Sequence, residues 1–299
     1  MPELERRSLG KTGLRPKALG IGCAWFGSEK SSDTDTKSGL HRAIELGLDF
    51  IDTSAGYGDS ERRVGLALEG GFREKIFLQT KAGTHPNHRG DFSGKTIRWS
   101  VENSLRLLKT EYLDSVLIHD PQEIEKPLAP GHALDELLKM KQEGVIGHVG
   151  LGVRQHDFHK KAIETGNIEI ILSYLDYTLL DQSVAKTTLP LAKKKGVGII
   201  LASVFGMGSL CGVKPDTETE QRRNPTSTPK AYQMWEWCKE NNVNIRHLAM
   251  QFCLAAPIEG IVMAGPSNAQ EIDDAFEAAT TEIDPQVWEI FKSKFGVGI

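Results

Sequence analysis

Eight short apolar runs, each bounded by Gly, Asp or charged residues, alternate along the chain with amphipathic stretches of about a dozen residues. The runs are LGIGCA (19–24), FID (50–52), IFLQT (76–80), SVLIH (115–119), IGHVGL (146–151), IEIIL (168–172), GIILAS (198–203) and GIVMA (260–264). Apolar runs of this length, separated by helix-length segments, specify repeated β-α units around a parallel sheet. Such units either lie open as a doubly wound sheet or close on themselves, and a count of eight without a break in composition favours closure. The expected fold is therefore α/β, a (β/α)8 TIM barrel, with residues 1–299 forming one domain.

Two intervening segments define helices well. From Gly94 to Leu108, Ile97, Val101, Leu105 and Leu108 recur on one helical face. From Gly131 to Gly144 the same spacing returns with Leu134, Leu137 and Leu138, and Gly144 supplies a stop. The opening RRSLGKTGLRPKALG reads as an N-terminal β-hairpin turning at Lys11 to Gly13 and plugging the N-terminal end of the barrel. An extra C-terminal helix is expected from Asp284 to Phe295, with Asp284 as N-cap and Pro285 in the first helical position. The polar stretch from Gly212 to Pro229 reads as a loop over the end of the seventh strand.

Composition narrows the class. The 36 Lys and Arg residues against 40 Asp and Glu leave a formal net charge of −4, so nothing favours coating nucleic acid or an anionic membrane. No run approaches the ~18 apolar residues of a membrane span, and MPELERR is not a secretory start, so a cytoplasmic protein is expected. Cys23, Cys211, Cys238 and Cys253 form no CxxC pair and are expected to be reduced.

In a parallel barrel the side chains at the C-terminal strand ends converge on one pocket. Here the second run ends in Asp52, with Tyr57 five residues on; the third run leads into Lys81, and the fourth ends in His119. An acid, a phenol, an ammonium and an imidazole suit proton transfer to or from a carbonyl oxygen. Lys81 is expected to lower the phenol's pKa from its usual value of about 10, Asp52 to hold Lys81 charged, and neutral His119 to fix the substrate oxygen. A proton donor reduces nothing by itself, so the site implies a hydride carrier such as a nicotinamide.

The segments FIDTSAGYGDSE (50–61), FLQTK ending at Lys81, and LIHDP (117–121) resemble the signature segments of the aldo-keto reductase family, and the resemblance extends over nearly the whole chain. It implies a (β/α)8 barrel with a nicotinamide cofactor across the strand ends, and a catalytic tetrad of Asp52, Tyr57, Lys81 and His119. Within the family, FIDTSAGYG, DFSGKTIRWSVENSLRLL and EIILSYLDYTLLD are most similar to the branch that oxidises the anomeric carbon of free sugars, the L-galactose and D-threo-aldose dehydrogenases.

The same resemblance implies cofactor contacts. Ser173 lies where the family has a glutamine on the nicotinamide amide, and Gly152 and Val153 replace the usual Ser-Asn pair. SVFGMG, carrying Ser203, Phe205, Gly206 and Gly208, resembles the segment whose backbone amides approach the pyrophosphate. GPSNAQEIDDA (265–275) opens the helix that binds the adenosine end, with Gly265, Ser267 and Glu271 at the cofactor. NADP-preferring relatives carry a lysine and an arginine where this chain has Gly265 and Glu271, so NAD is expected over NADP, with NADP possible. Ala275 replaces the usual adenine-binding asparagine.

Trp25, after the first strand, is a candidate apolar wall for a substrate, with Phe92 and His88 weaker candidates. The pairs His85/His88 and His156/His159 have spacing that could ligate a metal, but no further acid or cysteine completes either set, so no metal is expected. The reading is an oxidoreductase acting on a small sugar or carbonyl compound. Most directly this is oxidation of an aldose at C1 to a lactone with NAD; the alternatives are an NADPH-dependent carbonyl reductase or a slow-turnover cofactor-binding regulatory subunit. A metal-dependent hydrolase or isomerase would need the histidine pairs as ligands. A monomer or weak homo-oligomer is expected.

Overall fold

The structure is a computed structural model and describes residues 3–215, 218 and 228–299. Eight parallel strands close into a barrel in sequence order, from β1 (Leu19–Gly22) and β2 (Phe50–Asp52) through β3 (Phe77–Ala82), β4 (Leu113–His119) and β5 (Ile146–Gly152). The circuit continues with β6 (Ile170–Tyr174), β7 (Gly198–Ala202) and β8 (Gly260–Ala264), and β8 pairs back onto β1. Helices lie between successive strands, among them Asp33–Glu45, Gly94–Leu108, His156–Glu164 and Ala269–Thr280. Among the described residues no helix is long and apolar enough to cross a membrane.

Helix ends follow local chemistry. Ser32 and Asp35 form a reciprocal capping box at the start of the first helix. Asp284 accepts a bond from the Gln286 amide, and Pro285 begins the helix Pro285–Phe295 at the residues expected. The segment before β1 turns back on itself between the Leu9–Leu14 and Arg7–Pro16 backbone bonds. Its tip donates from the Gly10 and Lys11 amides to the carbonyls of Glu259 and Gly196, just ahead of β8 and β7, so it closes the N-terminal end of the barrel. The loop expected over residues 212–229 lies mostly outside the described residues, and its last two residues begin the helix Thr228–Glu240.

Two apolar layers result from the two-residue period of the strands. Phe50, Leu117, Ile170 and Ile261, from β2, β4, β6 and β8, fill the barrel interior with Leu9 of the plug beneath them. Ile51, Leu78, Ile118 and Ile171 alternate with them and pack against the helices. This alternation decides the site, because the next inward positions towards the C-terminal end are Asp52 after Phe50, Lys81 after Gln79, His119 after Leu117 and Tyr174 after Leu172.

Candidate active site

Asp52 and Lys81 are each 1% exposed, and the Lys81 ammonium donates to Asp52 Oδ2 at 2.5 Å and to the Thr53 carbonyl at 2.8 Å. The other Asp52 oxygen accepts from Gln79 Nε2 at 2.7 Å, and Gln79 Oε1 in turn accepts from the Ser115 hydroxyl at 2.8 Å. Each Asp52 oxygen thus has a donor within the protein, as holding two charges in a protein interior requires. Burial works against the Lys81 charge, but the Asp52 carboxylate and the Tyr57 phenol outweigh it and hold the ammonium above its ordinary range.

Lys81 Nζ lies 4.6 Å from the centroid of the Tyr57 ring, and the Tyr57 and His119 rings meet edge to face at 5.6 Å. The loop bearing Tyr57 is seated by backbone. Gly27 of the turn after β1 accepts the Asp59 amide at 3.2 Å, and a Cβ at Gly27 would lie 1.6 Å from the Tyr57 carbonyl oxygen. Only glycine permits that approach. Arg63 fastens the same two loops by donating to the carbonyls of Phe26 and Ser28 at 2.6 and 2.9 Å.

The expected lowering of the Tyr57 pKa is corrected by the structure. Burial raises the phenol, Lys81 pulls it back, and the net direction is upward. Tyr57 therefore holds its proton at neutral pH, and the Lys81 charge offsets part of the cost of a phenolate. If Tyr57 is the proton carrier, oxidation needs the phenolate and reduction the phenol. The oxidative rate should thus climb from pH 7 towards the phenol's reference value of about 10 while the reductive rate does not climb. A pH profile in both directions checks this, and a flat oxidative limb would remove Tyr57 as the base.

His119 is held neutral, its pKa well below the usual range because of burial first and the Lys81 and Arg89 charges second. Two hydroxyls flank its Nδ1, Thr84 Oγ1 at 2.7 Å and Ser54 Oγ at 3.1 Å, and Ser54 also accepts the Gly56 amide. A hydroxyl donating to Nδ1 leaves the ring proton on Nε2, as required to donate to a substrate oxygen. Ser54, Thr84 and Gln79 were not singled out in the sequence, although Gln79 precedes Lys81 on the same strand face.

The floor beside Lys81 and Leu117 is lined by small residues. The inward positions closing β1, β5 and β7 are Gly22, Gly152 and Ala202, and a Cβ at Gly152 would lie 3.7 Å from Lys81 Cδ. Small residues on this floor fit a nicotinamide. Ser173 is not on it: it shares the outward face of β6 with Ile171, is 1% exposed, and donates to Asp176 Oδ2. The inward residue at the end of β6 is Tyr174, so the expected amide contact from Ser173 is corrected by strand alternation.

The turn after β7 carries φ of +58° at Ser203, +59° at Gly206, +56° at Met207 and +111° at Gly208. The amides of Gly206 and Gly208 donate within the turn, to Ser203 and Phe205 carbonyls. After β8, exposed Gly265 lies against Trp25, whose Cδ1 would be 3.5 Å from a Cβ there, and Trp25 itself is 45% exposed at the mouth. Glu271 folds back over the start of its helix, where one carboxylate oxygen accepts from the Ser267 amide at 2.7 Å and its hydroxyl at 3.0 Å. Ala275 is buried.

Phe92 is 4% exposed and packed against Gly83, which takes it off the pocket wall. His85 and His88 both meet Trp99 edge to face at 4.7 Å. His159 is taken up by the Thr188 hydroxyl and the Val153 carbonyl, and His156 by Asp176 and Thr187.

Comparison with known proteins agrees with this construction. The family model described as the aldo/keto reductase family matches residues 18–295. L-galactose dehydrogenase of Arabidopsis thaliana is 31% identical over 95% of this chain and 90% of its own length. D-threo-aldose 1-dehydrogenase of a Pseudomonas species is 28% identical over 92% of this chain and 93% of its own. Among solved structures, an aldo-keto reductase from Bacillus halodurans superposes with a TM-score of 0.81 at 25% identity, covering 98% of this chain and 96% of that one. The chain belongs to the aldo/keto reductase family, and is an oxidoreductase of that nicotinamide-using family.

Proposed function

We propose that this enzyme oxidises a free aldose at C1 to the lactone and prefers NAD, with Asp52, Tyr57, Lys81 and His119 as its catalytic residues. The observation that carries the reaction is the buried Asp52–Lys81 pair set against Tyr57 and a neutral His119. A bound nicotinamide would supply hydride acceptance or donation on the floor formed by Gly22, Gly152 and Ala202. In oxidation Tyr57 takes the proton of the C1 hydroxyl, Lys81 stabilises the phenolate that does so, and His119 Nε2 donates to the same oxygen. The proton returns along the same path in reduction. Trp25 walls the mouth on the side of β1 and β8.

The sugar class is supported by the two dehydrogenases that align over nearly the whole chain. The cofactor preference is supported by Glu271. Its carboxylate occupies the helix N-terminus where a ribose phosphate would otherwise find donors, and two anions there repel. Ser203, Phe205, Gly206 and Gly208 would border the pyrophosphate, and Gly265 and Ser267 the adenosine. Glu271→Arg should raise kcat/KM with NADP relative to NAD at least ~10-fold, because it replaces repulsion by a charge-assisted contact. An unchanged ratio would place the adenosine pocket elsewhere.

The raised Tyr57 phenol favours the reductive direction, and reduction of aldehydes with NADPH is the second reading. Nicotinamide absorbance followed with NAD and NADP against a panel of free aldoses, and with NADH and NADPH against simple aldehydes, separates the two. Reduction of NAD by one sugar stereochemistry supports the first; silence with every sugar but oxidation of NADPH by aldehydes supports the second.

A further inference from the structure

Asp120, the residue after His119, takes no part in the proton path, yet its backbone is in the left-handed region at φ +40°. Side chains other than glycine seldom adopt that conformation, with Asp and Asn the most tolerant. The residue is fixed there by its amide, which donates to the Gly152 carbonyl at 3.0 Å. The effect is to turn a carboxylate towards the mouth beside the catalytic imidazole. Asp120 Oδ1 accepts from the Tyr174 hydroxyl at 3.2 Å, and Oδ2 lies 3.5 Å from His119 Nε2.

The two functions of this corner differ. With a hydroxyl donating to Nδ1, His119 Nε2 presents a donor, and Asp120 Oδ2, 3.5 Å away, presents an acceptor whose carboxylate is steadied by a phenol from β6. The carboxylate remains 41% exposed, so a substrate reaching His119 also reaches Asp120. A simple aldehyde offers one oxygen to this pair. A sugar offers two on neighbouring carbons, one to accept from His119 and one to donate to the carboxylate. Gauche oxygens of a vicinal pair lie roughly 3 Å apart, close enough for one to meet Nε2 and the other Oδ2 across the 3.5 Å between them.

We propose that Asp120, positioned by Tyr174, is a specificity-determining residue that accepts a hydrogen bond from the substrate hydroxyl on the carbon next to the reacting one. The inference deepens the sugar reading above and rests on it for the substrate class, while its test does not require sugar oxidation. A bound analogue lacking the hydroxyl covers Oδ2 without replacing the water it displaces, so that oxygen loses a donor and the analogue is rejected. Burial already disfavours its charge, which makes an extra donor welcome.

The test compares glyceraldehyde with propanal, and a 2-hydroxy aldose with its 2-deoxy counterpart, as ratios of kcat/KM in wild type, Asp120→Ala and Tyr174→Phe. Wild type should favour the hydroxylated member at least ~10-fold, with the ratio collapsing towards one in Asp120→Ala and falling part of the way in Tyr174→Phe. Asp120→Asn, which keeps size and a weaker acceptor, should fall between. A wild type that does not discriminate overturns the proposal, as does a loss in Asp120→Ala shared equally by both substrates, since that would confine Asp120 to supporting His119. If no aldose is oxidised but the glyceraldehyde ratio behaves as stated, the sugar-oxidising reading fails and the Asp120 site stands.

Discussion

Tyr57→Phe should lower turnover at least ~100-fold in both directions while leaving nicotinamide affinity within about twofold. The ring stays, so its edge contact with His119 and its place beneath the Lys81 ammonium are kept. What is lost is the hydroxyl that, in the proposed reaction, moves a proton to or from the substrate oxygen. Lys81 cannot replace it, because its three donors are directed to Asp52, the Thr53 carbonyl and the phenol, and the ammonium is held charged. Binding of reduced nicotinamide, followed by fluorescence, separates this from a folding defect. Turnover that survives the substitution would mean that water or His119 carries the proton, and the tetrad would have to be reassigned.

Much of this arrangement is legible in the chain, for a reason specific to barrels. Two-residue alternation fixes which side chains face inward, so Phe50 pointing to the core obliges Asp52 to point to the pocket, as Leu117 obliges His119. The runs beginning at Phe50 and Gly260 coincide with β2 and β8, and the segment Gly94–Leu108 with its helix, since sharp polar or glycine boundaries delimit them. The sixth run was read as 168–172 and is β6 at Ile170–Tyr174. Ile168 and Glu169 are apolar and polar neighbours of the strand, and Glu169 is drawn aside to Lys141 and His148.

The family resemblance puts Ser173 at the nicotinamide amide, whereas the inward positions of β6 are Leu172 and Tyr174, and neighbouring residues of a strand face opposite sides. The upward pKa of Tyr57 was equally out of reach. Charge partners can be named from a sequence, but desolvation depends on how deeply the closed loops after β1 and β2 cover the phenol. The hydroxyls on His119 come from Ser54 and Thr84, both in loops, where no periodicity announces direction.

Lys81→Met should be doubly damaging, and the two effects can be separated. Removing the ammonium leaves Asp52 1% exposed with only the Gln79 amide against its charge, and an orphaned buried carboxylate costs about 3–5 kcal/mol of stability. Turnover should fall at least ~100-fold as well, because phenolate formation at Tyr57 loses its nearby cation. Asp52→Asn combined with Lys81→Met removes the charge that was stranded and keeps an acceptor for Gln79. Stability in urea should then recover to within about 1 kcal/mol of wild type, the remainder being the Thr53 carbonyl left without its donor. Turnover should not recover. The sign of the pH dependence gives an independent check on the single variant. Burial already raises the Asp52 pKa against the pull of Lys81; without the ammonium it rises further, the folded form takes up a proton that the unfolded form lacks near neutrality, and stability relative to wild type should increase as pH falls from 7 towards 5. A single variant as stable as wild type at pH 7 would mean that the pair is not held as charges. A double variant that regains turnover would reduce Lys81 to a packing residue and leave the proton path without its cation.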